Sequence, residues 1–343
     1  MSDQGENKIP ISNLGKYGLI DHITKDFSKK NKSSVLLIGD DSAVIDMGEK
    51  LTLVSSDLLL EGIHFNLVYT PLKHLGYKAV IRAISDIYAM NGNPGQLFVS
   101  LGISSRFSVK DCEELYQGVS IACEKYGLDL AGGDTSSSIT GLSIGVTTVG
   151  SVSPDKLVKR SGAKPNDLIC VTGNLGASYM GLQLLERERR LFENNKSIQP
   201  VLEGHEYIIS RQLKPEFPTS VLSSLNEKQI LPTSMIDITE GLASDIMQIC
   251  KSSDSGCRIF SDKIPVADET IRMADEFRID TMVPVLNGGE DFELLFTVPL
   301  EQFEVVETIE SVSIIGHITG PGYGKHLVSN DGEEVELIAQ GWK

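Results

Sequence analysis

Short acidic segments recur along this chain at the predicted ends of strands, each beside glycine or a small hydroxyl residue. They occupy residues 38–41, 55–57, 132–135, 236–240 and 288–291. A fold that gathers several carboxylates must offset the repulsion between like charges a few ångströms apart. A divalent cation does this, and Mg²⁺ takes oxygen ligands while bridging to substrate phosphates. The pattern therefore predicts a fold built around metal-dependent nucleotide chemistry.

Length and charge narrow the remaining classes of protein. A chain of 343 residues with 41% hydrophobic residues is long enough for two domains with ordinary cores. It has 31 basic against 47 acidic residues, a formal net charge of −16. Nucleic acids and anionic membranes are bound by basic patches, so this balance argues against both as main partners. Solubility is an equally simple reason for an acidic surface.

The cysteines and the apolar segments indicate a cytoplasmic protein without a structural zinc or iron–sulfur site. None of the five cysteines forms a C-x-x-C pair, which is the spacing typical of such sites. We therefore expect free thiols in a reducing cytosol. No basic cluster followed by an apolar stretch marks a signal peptide. No window approaches about 18 uninterrupted apolar residues, the length that spans a membrane.

Mixed helical and strand patterns predict an α/β and α+β protein of two domains. A basic, turn-prone segment at 159–165 follows Pro154, so we place the domain boundary at about 155. We expect an N-terminal α/β domain over 1–155 and a C-terminal α+β domain over 156–343. Helices are predicted over 14–27, 72–90, 109–126, 176–190, 205–213, 219–227, 241–251 and 300–309. Strands are predicted over 51–55, 97–103, 128–131, 142–152, 168–172, 234–238, 292–298 and 313–319.

Each acidic segment alone also has an ordinary structural explanation. The segment 39–41 fits a solvated turn, and the segment 55–57 fits a helix N-cap. Asp86, on an otherwise apolar helix face, fits either a paired buried acid or a surface position. The chain has neither a P-loop nor a kinase glycine-rich loop, so a bound nucleotide would need another turn where backbone approaches phosphate. The segment 132–135 fits such a turn. A lone histidine such as His64 is more often structural than functional.

The order and spacing of these segments nevertheless carry a specific resemblance. The chain resembles the thiamine-monophosphate kinase family, which shares a superfamily with aminoimidazole ribonucleotide synthetase and selenophosphate synthetase. The similarity runs from Gly39 to Trp342, nearly the whole chain. The matching segments are IGDDSAV, SSDLLLEGIHF, GYKAVIRAISDIYAMNGNP, LAGGDTS, KRSGAKPNDLICVTGNLG, SMIDITEGLASDI and NGGEDFELLFTVP.

The resemblance implies an ATP-dependent phosphorylation of thiamine monophosphate to thiamine diphosphate, assisted by several Mg²⁺ ions. The metal ligands that it implies are Asp41, Ser55, Ser56, Asp57, Asp86, Asp134, Asp237 and Glu240. The implied nucleotide-binding residues are Tyr116, Gly133, Asp134, Arg160 and Thr239. His64, Glu290 and Trp342 are implied on the substrate side. The fold implied is an N-terminal ATP- and Mg²⁺-binding domain whose sheet pairs in a homodimer, with a C-terminal domain that completes the active site.

Three positions depart from the family pattern. Glu240 stands where the family usually has Asp, and its longer side chain repositions any metal that it binds. Ser56 stands in place of Thr and keeps the hydroxyl group. Lys16 stands near the start of the first predicted helix, where the family usually has Glu.

The implied reaction needs no strong general base, because a phosphate monoester is largely dianionic at neutral pH and already nucleophilic. We therefore predict direct, in-line phosphoryl transfer without a phospho-enzyme. The alternatives are another ATP-dependent enzyme of the superfamily, similar to aminoimidazole ribonucleotide synthetase, and a non-catalytic nucleotide- or metal-binding protein. A selenophosphate synthetase would carry a reactive cysteine near its N terminus, whereas the first cysteine here is Cys112. The hydrogenase-maturation relative ends in a functional cysteine, whereas this chain ends in Gly-Trp-Lys.

Overall fold

Two mixed β-sheets, one in each half of the chain, form the framework of this computed structural model, which describes residues 13–196 and 199–340. The helices are α1 (Gly15–Thr24), α2 (Leu72–Ala89), α3 (Val109–Tyr126), α4 (Ala177–Asn194), α5 (Glu206–Leu213), α6 (Thr219–Glu227), α7 (Leu242–Ser252), α8 (Asp268–Phe277), α9 (Met282–Asn287) and α10 (Phe303–Val306). No helix within the described ranges is both long enough and apolar enough to span a membrane.

The first sheet has the strand order β1-β2-β3-β6-β4-β5. Its strands are β1 (Ser34–Leu36), β2 (Ala43–Asp46), β3 (Leu51–Leu60), β4 (Asn93–Ile103), β5 (Asp129–Ser137) and β6 (Ser143–Val152). Neighbours are antiparallel except β4 and β5, which run parallel. The helix α3 connects these two parallel strands, as a parallel pair requires a long crossover.

The second sheet has the strand order β13-β12-β9-β11-β7-β10-β8. Its strands are β7 (Leu168–Thr172), β8 (Ser234–Ile238), β9 (Gly256–Phe260), β10 (Glu293–Val298), β11 (Val312–Thr319), β12 (Lys325–Val328) and β13 (Glu334–Glu336). All residues of β7, β8 and β10 are buried. Such continuous burial requires cover on both faces of a sheet, and here one of the covers is the first half of the chain.

The helix α2 joins the two halves. It packs against β3, β4 and β6 of the first sheet and against β8 of the second, and residues 75–81 are buried without interruption. The hydrophobic cluster around it combines Leu59 and Leu97 with Leu294 and Phe296 from the other half. A helix buried on most of its surface is expected at such a central position, and its C-terminal turn is thereby fixed beside the second sheet.

The helices α2 and α3 approach each other through glycine. A Cβ atom on Gly118 would lie 1.9 Å from the carbonyl oxygen of Lys73, and one on Gly76 would lie 2.0 Å from that of Leu115. The start of α3 is fixed by a capping box between Ser108 and Asp111, which satisfies otherwise unpaired amide groups. The close crossing therefore depends on the absence of side chains at both glycines.

Most predicted helices and strands are confirmed to within a few residues, but two predicted strand ends at site residues are wrong. The strand β3 does not end at 55–57; it continues to Leu60, because β6 pairs with it along its whole length. The segment 132–135 is likewise not a turn but the middle of β5, which pairs with β4. The predicted helix over 300–309 is a 3-10 turn at Leu300–Gln302 followed by the single-turn helix α10.

We expect the substitution Gly118→Ala to lower the free energy of unfolding by about 3 kcal/mol, since the added methyl group must push α2 and α3 apart. Gly18→Ala is the matched control, because this helical glycine has only an ordinary contact at 3.5 Å and the change should be neutral or stabilise by up to about 1 kcal/mol. Urea unfolding followed by circular dichroism measures both. Equal unfolding midpoints for the two variants would contradict the packing argument.

Candidate active site

A cavity of about 770 Å³ lies where the two halves meet. Its walls come from α1, the segment 37–43, β3, α2, Arg160, the C-terminal end of β8 and α7. Clefts between domains are common ligand-binding positions. The acidic residues predicted from the sequence are concentrated in this cavity.

Three carboxylates form its centre. One oxygen from each of Asp41, Asp86 and Asp237 lies within 4.8 Å of the others. Asp41 precedes β2, Asp86 lies in the last turn of α2, and Asp237 lies in β8 of the second half. The hydroxyl of Ser85 donates to Asp237 Oδ2 at 2.5 Å, and the hydroxyl of Ser55 donates to Asp86. The centre therefore exists only when both halves are in place.

Burial makes this centre electrostatically unfavourable in the absence of cations. It raises the pKa of Asp41 to about 7, although Arg160 opposes the effect. Burial also raises the pKa of Asp86, and the charges of Asp57, Asp237 and Asp41 raise it further. The pKa of Asp237 is raised by burial too, against a hydrogen bond from Ser85. Each of these acids thus resists ionisation where it stands.

The oxygens available here suit Mg²⁺. Asp41 Oδ2 and Asp57 Oδ2 are buried and have no hydrogen-bond partner among the described residues. Buried polar atoms are normally paired. The unpaired oxygens on Asp41, one of the three clustered acids, and on the neighbouring Asp57 therefore indicate a missing positive partner. Carboxylate and hydroxyl oxygens are hard ligands, which Mg²⁺ prefers. The residues present therefore fit a magnesium site.

A chain of ion pairs leads from this centre towards the substrate side predicted from sequence. Arg82 Nε donates to Asp57 Oδ1 at 3.1 Å, and Arg82 Nη1 donates to Glu290 Oε1 at 3.1 Å. Lys78 Nζ, which is almost fully buried, donates to Glu290 Oε2 at 2.7 Å. Although burial favours the protonated acid, Lys78 and Arg82 lower the pKa of Glu290. Glu290 is therefore an ionised acid held by two cations.

His64 lies beside these pairs. Its Nδ1 accepts a hydrogen bond from the Leu60 amide at 3.0 Å. Burial and then the charge of Arg82 lower its pKa, with Glu290 acting in the opposite direction. The ring is therefore neutral at pH 7, since its pKa falls below the ordinary value of 6.5. With Nδ1 accepting, the neutral ring carries its proton on Nε2, which can donate to a substrate or to a neighbouring group.

The loop after β8 is fixed by an acid that sequence reasoning did not identify. Asp245 Oδ2 accepts hydrogen bonds from the amides of Thr239 at 3.1 Å and Glu240 at 3.2 Å. This loop precedes the N terminus of α7, where amide groups favour anions. Thr239 faces the cavity, while the Glu240 carboxylate accepts a hydrogen bond from Lys16.

Arg160 is a further residue of the cavity wall. Its Nη2 lies 2.5 Å from Asp41 Oδ1, and its backbone amide donates to Asp40 at 3.2 Å. Ser56 also borders the cavity, but its hydroxyl lies 2.9 Å from the Thr147 hydroxyl across the strand pair. The site residues on β3 therefore differ, with Ser55 bonded to the acidic centre and Ser56 bonded to the sheet.

Tyr116, Gly133 and Asp134 are not part of this cavity; they line a separate shallow pocket near β5. Across the first sheet, Asp57 is in register with Val146, then Val99, then Gly133. Three strand spacings correspond to about 14 Å.

Asp134 also lies on the other face of the sheet. It is in register with Ser100, an exposed residue between the buried Val99 and Leu101. Within one chain, Asp134 therefore does not join the three clustered acids. Trp342 lies outside the described residues.

Sequence reasoning also missed Lys78 and Arg82. With Asp86 they occupy every fourth position of α2, and residues four apart share one face of a helix. This spacing of two cations and one acid within an apolar helix was the signal that could have identified them.

Comparison with known proteins identifies the family and the fold of this chain. Residues 39–152 match the AIR synthase related protein N-terminal domain, and residues 164–329 match the C-terminal domain of the same family. The thiamine-monophosphate kinase of Aquifex aeolicus is 31% identical over 97% of this chain and 99% of its own length. That of Bacillus subtilis is 34% identical over 83% and 84% respectively.

A solved structure, AaThiL complexed with AMPPCP and TMP, superposes with a TM-score of 0.82 at 30% identity, covering 98% of this chain and 99% of that one. The predicted two-domain fold of mixed α/β and α+β type is confirmed by this match and by the two family domains. The chain belongs to the thiamine-monophosphate kinase family, a family of phosphotransferases.

Proposed function

We propose that this protein transfers the γ-phosphoryl group of ATP to the phosphate of thiamine monophosphate, which yields thiamine diphosphate and ADP. The observation that carries the proposal is the cluster of Asp41, Asp86 and Asp237, assembled from both halves beside unpaired buried carboxylate oxygens. Relatives with the same activity in their names cover nearly the whole chain. A neighbour of the same fold is complexed with an ATP analogue and TMP.

Asp41, Ser55, Asp57, Asp86 and Asp237 are the residues that we propose to hold Mg²⁺, with Ser56 and Glu240 at the rim of the cavity. Bound Mg²⁺ supplies positive charge that offsets the repulsion between two phosphorylated substrates. Arg160, which now neutralises Asp41, is placed to bind the nucleotide phosphates together with Thr239. His64, Glu290 and Trp342 remain the proposed residues of the substrate side.

The proposed step is a single in-line displacement. An oxygen of the thiamine monophosphate phosphate forms a bond to the γ-phosphorus, and the bond from that phosphorus to the bridging oxygen of ADP breaks. The acceptor is already anionic, so no side chain needs to remove a proton. Among the described residues that line the cavity, there is no histidine or cysteine to carry a phosphoryl group. The aspartates of the cavity, which could also accept a phosphoryl group, are assigned to Mg²⁺ in this proposal, and this supports direct transfer without a phospho-enzyme.

A homodimer would complete the site. Within one chain Gly133 lies about 14 Å from Asp57 across the sheet, and Asp134 lies on the other face. Tyr116 shares their pocket, so a second copy must present these three residues to the cluster if they bind nucleotide and metal. The outer face of the first sheet exposes two large apolar side chains, Leu58 and Phe98, which supports pairing of two such sheets. In this proposal residues 1–155 form the dimerisation and ATP-binding domain, and residues 156–343 complete the site.

We expect ADP release from ATP and Mg²⁺ to require thiamine monophosphate. Asp57→Asn should reduce turnover by at least about a hundredfold, because Asn keeps the shape but not the charge. A coupled assay for ADP, with circular dichroism to verify the fold, measures both. ADP release that is independent of the acceptor would instead favour another enzyme of the superfamily, and no release at all would favour a non-catalytic binding protein.

The homodimer makes a complementation prediction. Asp57→Asn and Asp134→Asn should each be inactive alone, but a reassociated 1:1 mixture should recover about a quarter of the turnover, since half of the dimers then hold one intact site. A mixture of Asp57→Asn with Asp86→Asn is the matched control. It should recover nothing, because both residues line the same cavity of one chain and every cavity in the mixture then carries a substitution. Recovery in neither mixture, or equal recovery in both, would contradict the assignment of Asp134 to the opposite subunit.

The raised pKa values also predict a pH dependence. Asp41 titrates near pH 7 instead of 3.8 in the folded protein, so the metal-free protein loses stability as pH rises between these values. Mg²⁺ binds the ionised acids, so it should raise the melting temperature more at pH 8 than at pH 6.

The Asp86→Asn variant is the control for this pH dependence. Removing one of the repelling carboxylates should stabilise the metal-free protein at pH 8 and reduce the increment that Mg²⁺ provides. An increment that is the same at both pH values and in both proteins would exclude the cluster as the metal site. Differential scanning fluorimetry with and without a chelator measures these increments.

A further inference from the structure

The helix α1 lies across the cavity and is attached mainly through charge. None of its residues is buried, although Tyr17 and Ile20 line the cavity. Two ion pairs tie it to the second half: Lys16 with Glu240, and Asp21 with Lys251 at 2.7 Å. The helix therefore places the basic member of one of these pairs, Lys16, at the wall of the site.

The Lys16 ammonium occupies a defined position. Its partner Glu240 lies on the loop that Asp245 fixes through two backbone amides. Lys16 lines the same cavity as Asp57 and Arg82, so it lies in the site that we propose for metal and substrate. Two of the three departures from the family pattern, Lys16 and Glu240, are in direct contact.

This ammonium has binding capacity left. A lysine side chain carries three donors and no acceptor, and Glu240 takes one of them. The Lys16 side chain is 40% exposed and borders the open cavity, so the remaining donors face the space where ligands enter. A compact ammonium of this kind is a common phosphate-binding group.

We propose that Lys16 is a phosphate-binding residue of this site, and that Glu240 positions its ammonium to donate to a phosphate oxygen of the nucleotide or of the acceptor. The inference rests on the proposed function, since it assigns a further residue to the same reaction. It gives Glu240 a role through Oε1 that does not depend on a metal ion. It brings one residue of α1, Lys16, into the ligand-binding site.

The test is direct binding of AMPPCP and of thiamine monophosphate, each titrated alone in the presence of Mg²⁺ by isothermal calorimetry. Lys16→Met should weaken one of the two by about tenfold or more, the size of one charge-assisted hydrogen bond. The ligand that weakens identifies the phosphate that Lys16 contacts. Lys16→Arg keeps the charge and should stay within about threefold of the unaltered protein.

Asp21→Asn is the matched control. It breaks the other ion pair of α1 and leaves Lys16 in place, so both affinities should stay within about twofold, as expected for an exposed pair. Unchanged binding of both ligands by Lys16→Met would overturn the inference. An equal loss in Asp21→Asn would also overturn it, because α1 would then act only through its docking.

The two proposals can fail separately. If the unaltered protein binds neither ligand and releases no ADP, the proposed function falls, and the Lys16 assignment falls with it. If the unaltered protein binds both ligands and Lys16→Met binds them equally well, only the Lys16 assignment falls. The titrations measure affinity without turnover, so a defect confined to catalysis does not mimic either result.

Discussion

The repulsion among Asp41, Asp86 and Asp237 is the constraint around which this molecule is built. These acids, two buried and one half-buried with oxygens within 4.8 Å, oppose the closure of the two halves, because each one prefers water to an apolar site. The hydrophobic packing of α2 against both sheets holds the halves together against this repulsion. The fold thus maintains a region of unbalanced negative charge that a cation can relieve.

The distribution of basic residues shows where that imbalance is greatest. Arg160 pairs with Asp41, Arg82 with Asp57, and Lys16 with Glu240. Asp86 and Asp237 instead receive hydrogen bonds from the neutral hydroxyls of Ser55 and Ser85. Asp41, Asp57 and Glu240 are therefore compensated by basic residues of the protein itself. Asp86 and Asp237 have no ion pair among the described residues and are the least compensated acids of the proposed metal site.

Much of this could be predicted from local sequence, and the remainder could not for a physical reason. Helices such as α3 and α6 were predicted at their observed bounds, because apolar periodicity and turn residues are local signals. The ends of β3 and β5 were misplaced because polar and glycine residues suggested turns, whereas strand pairing satisfies their backbone groups. The face on which Asp134 lies depends on register with β4, which no local pattern reveals.

The shared use of Arg82 links the two sides of the site. One guanidinium group donates both to Asp57, a proposed metal ligand, and to Glu290, a proposed residue of the substrate side. Lys78 donates to the other oxygen of Glu290. A ligand that draws Glu290 away leaves Arg82 to Asp57 alone, and a cation that takes Asp57 leaves Arg82 to Glu290. Because Arg82, Lys78 and Asp86 all lie on the buried helix α2, this exchange requires side-chain movement only. We therefore expect occupancy of the proposed metal site to alter the charge balance at Glu290 without any rearrangement of the fold.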